Sequence, residues 1–319
     1  MKTAIYLPNH LGDAVVASSL ISWFKKTYPN KELIVIIKEN LYPLFTNNPN
    51  IYKIYPVKKG FKNKLKLSKL LTNENIELSF ILTKSISAAL LIYLSQIKIR
   101  VGYSVDNRGL FLSDIIKHYD YHNQPLRNYY FRTVKKYFIG EPPLYPDFYC
   151  PEVNKKIRKL SLDLKNFIAV DPGALYGDTK IWEDKNWISL IKILEKKEKV
   201  VLFGIRDLSS WEKEFKNTVN LSNKVQLKNL PSLLKNLKVF ISGDTGSMHL
   251  ASALGVNTIT LFGSSYPKWT APWGKGKHRI IYNPPDCSPC FKKKCKLKTN
   301  ICMKNITIYD ILREYEYIK

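Results

Sequence analysis

The chain has 319 residues, of which 45% are hydrophobic and 24% charged. This length suits two domains that each bury a core, and the composition is that of an ordinary globular protein. The longest largely apolar stretch, residues 86–97, contains Gln96 and is shorter than the ~20 apolar residues that a membrane-spanning helix needs. Polar residues interrupt the first apolar run, which excludes a secretory signal peptide. We therefore expect a cytoplasmic protein.

The balance of charge is strongly basic. Lys and Arg number 51 against 26 Asp and Glu, which gives a formal net charge of +25. Such an excess favours an anionic partner, for which nucleic acid, phospholipid headgroups and acidic glycolipids qualify. A lysine-rich face that is simply solvated is the alternative. Since the sequence carries no helix-turn-helix, zinc-finger or RNP-type signature, we expect no nucleic-acid partner.

In the first half, strands alternate with helices. Residues 3–8 and 33–37 are predicted strands on either side of a helix over residues 14–26. Residues 80–83 begin a second strand-helix unit that ends near Arg100. This alternation predicts an α/β fold with a parallel sheet.

Four prolines between Gly140 and Lys159 break both periodicities, which places a domain boundary there. We accordingly predict one domain over residues 1–150 and another over residues 151–319. Strand-helix alternation resumes in the second half. Its predicted elements are strands at 167–171, 200–203, 239–241 and 258–262, a helix near 187–196, and a helix that ends at Gly255.

The polar turn over residues 243–247 follows the buried strand at 239–241. It places backbone N–H groups and small hydroxyls at the start of a helix, an arrangement that attracts phosphate. Ligands bind at the carboxyl ends of strands in open α/β sheets. Asp244 is a candidate helix cap, and His249 is either a hydrogen-bonded buried histidine or a phosphate contact.

Asp13 occupies a comparable place after the first strand. One interpretation is that it only caps the following helix, since Asp is a favoured cap. The other is a general base that takes a proton from an acceptor hydroxyl. A helix start lowers the pKa of a carboxyl group whereas burial raises it, so the sequence alone does not fix its basicity.

The loop over residues 171–180 follows the apolar strand at 167–170. Gly173 and Gly177 allow the backbone to approach a phosphate, and Lys180 supplies a point charge. The Gly-Lys-Ser/Thr ending of a Walker A loop is missing, and a plain structural turn is the alternative. Trp182 and Trp187 are predicted to pack in the core. Asp207 and Glu212 are weaker candidates for contacts with ribose hydroxyls.

The chain ends in a cysteine-containing tail. Its Cys-X-X-Cys pair followed by two closely spaced cysteines is compatible with a tetrahedral structural zinc site, formed by Cys287, Cys290, Cys295 and Cys302. Disulfides are disfavoured in a reducing cytoplasm. Thiols that bind no metal are the alternative.

Taken in order, these motifs resemble glycosyltransferase family nine, the ADP-heptose:lipopolysaccharide heptosyltransferases, and most closely its heptosyltransferase II branch. The resemblance covers nearly the whole chain. The segments that carry it are residues 11–15, 84–90, 100–103, 107–110, 172–174 with Gly177, 180–182, 243–251 and the cysteine tail. One departure is visible: relatives commonly have Lys-Arg-Trp-Pro where this chain has Lys-Ile-Trp-Glu at 180–183.

The resemblance implies a GT-B enzyme with two Rossmann-like domains whose parallel sheets face an interdomain cleft. The first domain would bind the acceptor and the second the nucleotide-sugar. The implied reaction is inverting transfer of L-glycero-D-manno-heptose from ADP-heptose to the inner core of lipopolysaccharide. The implied catalytic base is Asp13. The implied donor-binding residues are Gly173, Ala174, Lys180, Asp244, Thr245, Gly246 and His249, and the acceptor-binding candidates are Lys84, Ser85 and Arg108.

No cofactor is expected, because the sequence lacks an Asp-X-Asp metal motif and positive groups can take the place of a divalent cation. The expected partners are the ADP-heptose donor, the lipopolysaccharide acceptor and an anionic membrane surface, with the protein peripheral at the inner face of the cytoplasmic membrane. Two alternatives stay open. One is a glycosyltransferase of the same fold with another nucleotide-sugar, and the other is a non-catalytic nucleotide- or anion-binding protein.

Overall fold

The fold is taken from a computed structural model, which describes residues 2–105, 107–117, 123–173 and 177–319. The chain divides into two compact units, Met1–Pro151 (unit 1) and Glu152–Lys319 (unit 2). Each unit contains one parallel sheet of six strands flanked by helices. The predicted α/β fold with parallel sheets is therefore confirmed.

Unit 1 alternates strands and helices along most of its length. Its strands are β1 (Lys2–Tyr6), β2 (Glu32–Lys38), β3 (Lys53–Val57), β4 (Ile76–Ile81), β5 (Ile99–Tyr103) and β6 (Asp114–Ile116). Its helices are α1 (Leu11–Ala17), α2 (Ser19–Thr27), α3 (Phe61–Thr72), α4 (Ile86–Leu94) and α5 (Leu126–Val134). Buried apolar side chains of β1, β2 and β4 form the core with α3 and α4.

The strand order in unit 1 is β3-β2-β1-β4-β5-β6, with every pair parallel. The chain winds outward in one direction from β1 and returns beside β1 with β4. This reversal is the topological switch point of a doubly wound sheet, where ligands bind outside the strand carboxyl ends. The loops that follow β1 and β4 lie at that point.

The single helix predicted over residues 14–26 is wrong, because the segment forms two helices, α1 and α2, that meet at Ser18. Ser18 Oγ donates to Val15 O at 2.7 Å, and Ser19 Oγ donates to Val16 O at 2.8 Å. Such side-chain bonds to the preceding turn compete with the regular helical pattern and bend the chain. The apolar periodicity continues across this point, which is why the sequence pattern suggested one helix.

Unit 2 repeats the same alternation. Its strands are β7 (Ile168–Asp171), β8 (Val200–Leu202), β9 (Thr218–Asn220), β10 (Val239–Gly243), β11 (Asn257–Leu261) and β12 (His278–Ile281). Its helices are α6 (Lys155–Asp163), α7 (Asp184–Leu194), α8 (Leu230–Leu234), α9 (Gly246–Ala253), α10 (Pro267–Thr270), α11 (Ile301–Lys304) and α12 (Ile308–Ile318).

The sheet of unit 2 has the order β12-β11-β10-β7-β8-β9, again entirely parallel. Its switch point lies between β7 and β10. Trp182 and Trp187 are buried in the core, edge to face at 4.9 Å between ring centroids, which confirms the predicted packing role. Gly255 has a φ of +83°, which suits the predicted stop just after α9.

None of the helices formed by the described residues is long and apolar enough to cross a bilayer.

Candidate functional site

In unit 2 the two predicted donor-binding segments lie next to each other. The loop that ends with Lys180 follows β7, the turn at Asp244 follows β10, and these strands are neighbours with Ser242 opposite Asp171. Both segments therefore lie at the switch point of this sheet. Two segments far apart in sequence form one site because the parallel topology puts both carboxyl ends on the same edge.

The Asp171 carboxylate links these two segments. Its Oδ1 accepts the Gly173 N–H at 3.0 Å, and its Oδ2 accepts the Ser247 hydroxyl at 2.5 Å. A second bond joins the hydroxyls of Ser247 and Thr245 at 2.8 Å. Burial raises the pKa of Asp171, and the hydrogen bonds from Ser247 and Gly173 oppose that shift. Asp171 was not among the predicted site residues, although an Asp directly after a buried strand is a usable signal.

Lys180 and Asp244 form a buried ion pair at the centre of this site. Lys180 Nζ lies 2.5 Å from Asp244 Oδ2, and the side chains are only 13% and 5% exposed. The Thr270 hydroxyl donates to the same Oδ2 at 3.2 Å. Burial is the largest single influence on Asp244 and raises its pKa, but the opposing influences, chiefly the charge and the hydrogen bond of Lys180, together exceed it, and the net shift is downward. Asp244 is therefore held as a carboxylate.

His249 lies beside this pair, with Nε2 3.9 Å from Asp244 Oδ1. Burial lowers the pKa of His249 to about 4, against the opposing effect of the Asp244 charge, so the imidazole is neutral at pH 7. Its Nδ1 is buried and has no hydrogen-bond partner within the part of the chain that the structure describes. The interpretation of His249 as a hydrogen-bonded core histidine does not account for this nitrogen.

The cap of α9 is Thr245, whose hydroxyl accepts the Met248 N–H at 3.3 Å. The interpretation of Asp244 as the helix cap is therefore wrong, because the chain is still extended at Thr245 and only the next residue is helical. Gly246 and the residues after it present the first N–H groups of the helix, which carry partial positive charge. The predicted anion-attracting geometry thus belongs to Thr245, Gly246 and Ser247.

The cysteine tail packs against the loop that carries Lys180. The Thr179 hydroxyl donates to Lys292 O at 2.5 Å, and a Cβ added to Gly177 would lie 2.2 Å from Lys293 O. Asn300 Nδ2 donates to Asp178 O at 3.3 Å. The tail therefore supports the lysine loop from behind, a relationship that the sequence pattern did not reveal.

The zinc alternative for the tail stays a prediction. The four tail cysteines are thiols, and among the described residues no group of three or more His, Cys, Asp or Glu side chains is placed to hold a metal ion. Cys302 is buried in the core of unit 2, whereas Cys287 is exposed. The Cys302 thiol lies within electrostatic reach of the other three, because its pKa is raised first by burial and also by the charges of Cys290, Cys295 and Cys287. The tail is also fixed by a bond from the Cys290 N–H to Ser264 O at 3.1 Å.

In unit 1 Asp13 is the third residue of α1 and is half-buried. The residue before the helix is His10, with no side-chain cap, so the interpretation of Asp13 as a cap is wrong. The Tyr130 hydroxyl is fully buried, and its pKa lies well above the usual value, first through burial and then through the charge of Asp13. Asp13 and Tyr130 are therefore electrostatic neighbours, held by the packing of α1 on α5.

The loop after β4 lies at the same switch point and is joined to the loop after β1, because Asn9 Nδ2 donates to the Thr83 hydroxyl at 3.1 Å. Lys84 is exposed and its Nζ lies 5.5 Å from the centroid of the Tyr129 ring. The Ser85 hydroxyl is 2.8 Å from that of Ser87. The predicted acceptor residues Lys84 and Ser85 thus lie on the loop next to the one that leads to Asp13.

Arg108 is also in unit 1 but is 0% exposed. Its Nε donates to Tyr103 O at 2.5 Å, and its Nη1 donates to Thr83 O. It therefore ties the end of β5 to the start of the loop that carries Lys84 and Ser85. This burial favours a positioning role over the predicted direct contact with an acceptor.

Ala174, Asp207 and Glu212 are the remaining residues predicted to contact the donor. Ala174 lies outside the described residues. Asp207 accepts bonds from the N–H and hydroxyl of Ser209, and Glu212 accepts from Asn220 and Lys224. Both carboxylates are thus engaged in local surface contacts.

Comparison with known proteins decides the family. The sequence model described as Glycosyltransferase family 9 (heptosyltransferase) matches residues 64–301, which is more than half of the chain. The chain belongs to glycosyltransferase family 9. This confirms the resemblance inferred from the motifs and makes the protein a glycosyltransferase rather than a non-catalytic nucleotide- or anion-binding protein.

Two curated relatives match most of the chain. The lipooligosaccharide heptosyltransferase 2 of Campylobacter jejuni serotype O:6 is 26% identical, with 98% of each chain covered. The lipopolysaccharide heptosyltransferase 2 of Escherichia coli K12 is 25% identical, with 88% of each chain covered.

Solved structures agree with the fold of this glycosyltransferase. The E. coli ADP-heptose lps heptosyltransferase II is 21% identical with a TM-score of 0.78, covering 100% of this chain and 98% of that one. The E. coli heptosyltransferase WaaC with ADP is 16% identical with a TM-score of 0.77, covering 100% of both chains. The predicted GT-B fold is confirmed.

Proposed function

We propose that the protein transfers L-glycero-D-manno-heptose from ADP-heptose to the inner core of lipopolysaccharide, with inversion at the anomeric carbon. The observation that carries this proposal is the position of the predicted residues at the switch points of the two sheets. The names of the curated relatives, which are heptosyltransferases 2, support the choice of sugar and acceptor.

Unit 2 is the donor-binding unit in this proposal. The N–H groups at the start of α9, from Gly246 onward, bind the diphosphate together with Lys180. The Lys180 charge is balanced by Asp244 in the structure, so the helix start supplies much of the net positive potential. The full set of donor-binding residues is Gly173, Ala174, Lys180, Asp244, Thr245, Gly246 and His249.

The neutral imidazole of His249 suits this site. A buried Nδ1 with no partner among the described residues can bond a polar group of the bound donor. A new hydrogen bond to this nitrogen strengthens donor binding, because the nitrogen has already lost its hydration when the protein folds.

Unit 1 is the acceptor-binding unit, with Asp13 as the general base. The carboxylate takes the proton of the acceptor hydroxyl as that oxygen forms its bond to the anomeric carbon. Lys84 and Ser85 bind anionic and hydroxyl groups of the acceptor. Arg108 acts indirectly, by holding the loop that carries them.

The proposed reaction is a single displacement at the anomeric carbon. The acceptor oxygen attacks the anomeric carbon, the bond from that carbon to the phosphate oxygen breaks, and ADP leaves with the electron pair. Inversion follows because attack and departure occur on opposite faces of the sugar. Donors fixed where charge develops typically contribute ~3 kcal/mol each to the lowering of the barrier.

Catalysis in this proposal needs no metal ion, since Lys180 and the α9 amides stabilise the departing diphosphate. The measurement is turnover after dialysis against EDTA, which we expect to leave the rate unchanged. Loss of turnover that Mg²⁺ restores contradicts this part of the proposal.

We also propose that the protein acts in the cytoplasm, as a peripheral protein at the inner face of the cytoplasmic membrane. Support comes from the net charge of +25 and from the anionic character of lipopolysaccharide. Binding of this kind weakens as salt rises, because screening shortens the range of exposed charges.

The deciding experiment is the Asp13→Asn variant, assayed for ADP release with ADP-heptose and an inner-core acceptor. We expect a loss of ~10²-fold or more in rate, with ADP affinity unchanged, because the amide cannot accept the proton. Asp147→Asn, an exposed carboxylate in the same unit, is the matched control and keeps full rate. Equal rates for the two variants contradict the assignment of Asp13.

A donor screen tests the sugar nucleotide independently. ADP-heptose is compared with UDP- and GDP-sugars at equal concentration, and we expect turnover with ADP-heptose alone. The departure from Lys-Arg-Trp-Pro at residues 180–183 makes this comparison necessary. Turnover with another donor keeps the glycosyltransferase assignment and replaces the proposed substrate.

A further inference from the structure

A groove on unit 1 is not used by the proposed reaction. It lies between α3 and α4, has a volume of about 150 Å³, and is almost entirely apolar. Its walls include Phe61 and Leu65 from α3, and Leu90, Leu91 and Leu94 from α4. Phe61 and Leu65 are four residues apart, and Leu94 follows Leu90 and Leu91 by four and three residues, so each helix turns one apolar face toward the groove.

Two of these apolar side chains extend to the surface. Phe61 is 63% exposed and Leu94 is 38% exposed. On the same two helices Leu70, Ile86 and Tyr93 are 54%, 46% and 48% exposed. Large exposed apolar side chains beside an apolar groove, such as Phe61 and Leu94, mark an interaction site rather than the scatter of an ordinary surface.

The helix α3, which forms one wall of the groove, is basic. Lys58, Lys59, Lys62, Lys66 and Lys69 are all exposed on α3 or just before it, and Lys64 borders the groove itself. No acidic residue occurs in the sequence between Glu39 and Glu74. Within the described residues Lys58 alone of the six forms an ion pair, a loose 3.7 Å contact with Glu39. The positive charge of this face is therefore largely uncompensated.

The groove is also continuous with the acceptor segment. Lys64 Nζ donates to the Ser87 hydroxyl at 2.6 Å, and Ser87 is 2.8 Å from the hydroxyl of Ser85. Ser87 lines the groove, while Ser85 lies on the proposed acceptor loop. A ligand bound in the groove would therefore lie next to the proposed acceptor loop.

The groove together with the exposed lysines of α3 forms the α3–α4 face. We propose that this α3–α4 face docks the protein on an anionic phospholipid bilayer. Phe61 and Leu94 enter the acyl region beside the groove, the groove takes part of one acyl chain, and the α3 lysines contact lipid phosphates. The combination of a basic helix with exposed apolar groups is that of an interfacial membrane-binding helix. The inference rests on the proposed function in one respect, namely that the acceptor is carried by a lipid.

The experiment is sedimentation of the full chain with phosphatidylcholine vesicles that contain or lack phosphatidylglycerol, and no acceptor glycolipid. We expect binding only to the anionic vesicles. Lys62→Glu/Lys66→Glu/Lys69→Glu should lower the partition coefficient ~100-fold, at about fivefold for each lysine near the surface. The matched control is Lys196→Glu/Lys213→Glu/Lys228→Glu, with the same charge change on exposed lysines of unit 2.

A second variant tests the apolar groups separately. Phe61→Ser/Leu94→Ser should lower the partition coefficient ~10-fold at constant net charge. Its folding is checked by thermal unfolding and by turnover on a water-soluble inner-core oligosaccharide, both of which we expect unchanged.

Four results overturn the proposal. They are absence of binding by the native protein, binding that requires acceptor glycolipid in the vesicles, equal losses in the two lysine triples, and full binding by Phe61→Ser/Leu94→Ser. Failure of the proposed function is distinguishable, because native vesicle binding then persists without heptose transfer.

Discussion

Ser247 and Asp171 are joined by a hydrogen bond of 2.5 Å from the serine hydroxyl to the aspartate Oδ2, across 76 residues of sequence. The bond connects the start of α9 to the end of β7. Since the same carboxylate also accepts the Gly173 N–H, a single buried group sets the distance between the two segments of the proposed donor site. Its loss should affect both stability and donor binding.

Ser247→Ala tests this link. The Asp171 Oδ2 atom loses its donor, and an unsatisfied buried acceptor costs about 1–3 kcal/mol of unfolding free energy. We also expect a higher KM for the nucleotide-sugar with a smaller change in kcat, because the α9 turn is less well fixed. Ser161→Ala is the control, a buried serine of unit 2 that donates to Ser232 O far from the turn in sequence. A similar KM increase in both variants would show that general loosening, not this bond, is responsible.

Lys180→Met tests the central ion pair. The variant leaves Asp244 buried without its cation, and breaking a buried pair in this way costs about 3–5 kcal/mol. In the native protein the pKa of Asp244 is lowered, so the pair stabilises the fold above the ordinary aspartate pKa and loses that effect as pH falls. In the variant burial alone remains and the pKa is raised, so the penalty disappears as pH falls. The difference in unfolding free energy should therefore be larger at pH 7 than at pH 4.

Lys180→Met/Asp244→Asn separates stability from activity. Removing both charges eliminates the uncompensated carboxylate, so we expect most of the unfolding free energy to return. Turnover should stay low, because the positive group proposed to face the departing diphosphate is still missing. Urea unfolding and ADP release are the two measurements. Recovery of turnover along with stability would assign Lys180 a purely structural role.

Much of this arrangement could be predicted because the periodicity of apolar residues is visible in short segments of the sequence. A buried strand followed by a polar turn and an amphipathic helix is recognisable from a short window, and the parallel order then brings successive turns to one edge. The positions of Lys180 and Asp244 at the same switch point follow from that reasoning. What the pattern does not encode is which side chain meets which, so the role of Asp171 was missed.

The errors have a common cause as well. Asp13 and Asp244 were both considered as helix caps, yet His10 and Thr245 occupy those positions. Cap position depends on the backbone angles of a single residue, which periodicity does not determine to within one or two positions.

His249 should make stability depend on pH. The pKa of His249 is lowered from 6.5 to about 4 in the folded chain, so between those values the unfolded chain binds a proton that the folded chain does not. Stability is then complete above pH 6.5 and falls as pH drops toward 4, by on the order of 3 kcal/mol. His249→Asn should flatten this part of the pH profile of stability.

The pKa of His278 is lowered by burial too, so the pH profile of His249→Asn/His278→Asn should be flatter still. An unchanged slope in His249→Asn contradicts this reading of the site.

Gly177→Ala tests whether the cysteine tail supports the lysine loop. An added Cβ would lie 2.2 Å from Lys293 O and 2.8 Å from its carbonyl carbon, so the backbone of the loop or of the tail has to move. Because Lys180 is three residues further on, we expect weaker ADP binding, measured by calorimetry, together with a lower Tm.

Gly140→Ala is the control. Its Cβ meets nothing within 4 Å, but its φ of +78° makes alanine strained, at about 1–2 kcal/mol. A lower Tm in both variants with weaker ADP binding in Gly177→Ala alone is the expected result, whereas unchanged ADP affinity in Gly177→Ala would mean that the tail does not hold the lysine loop.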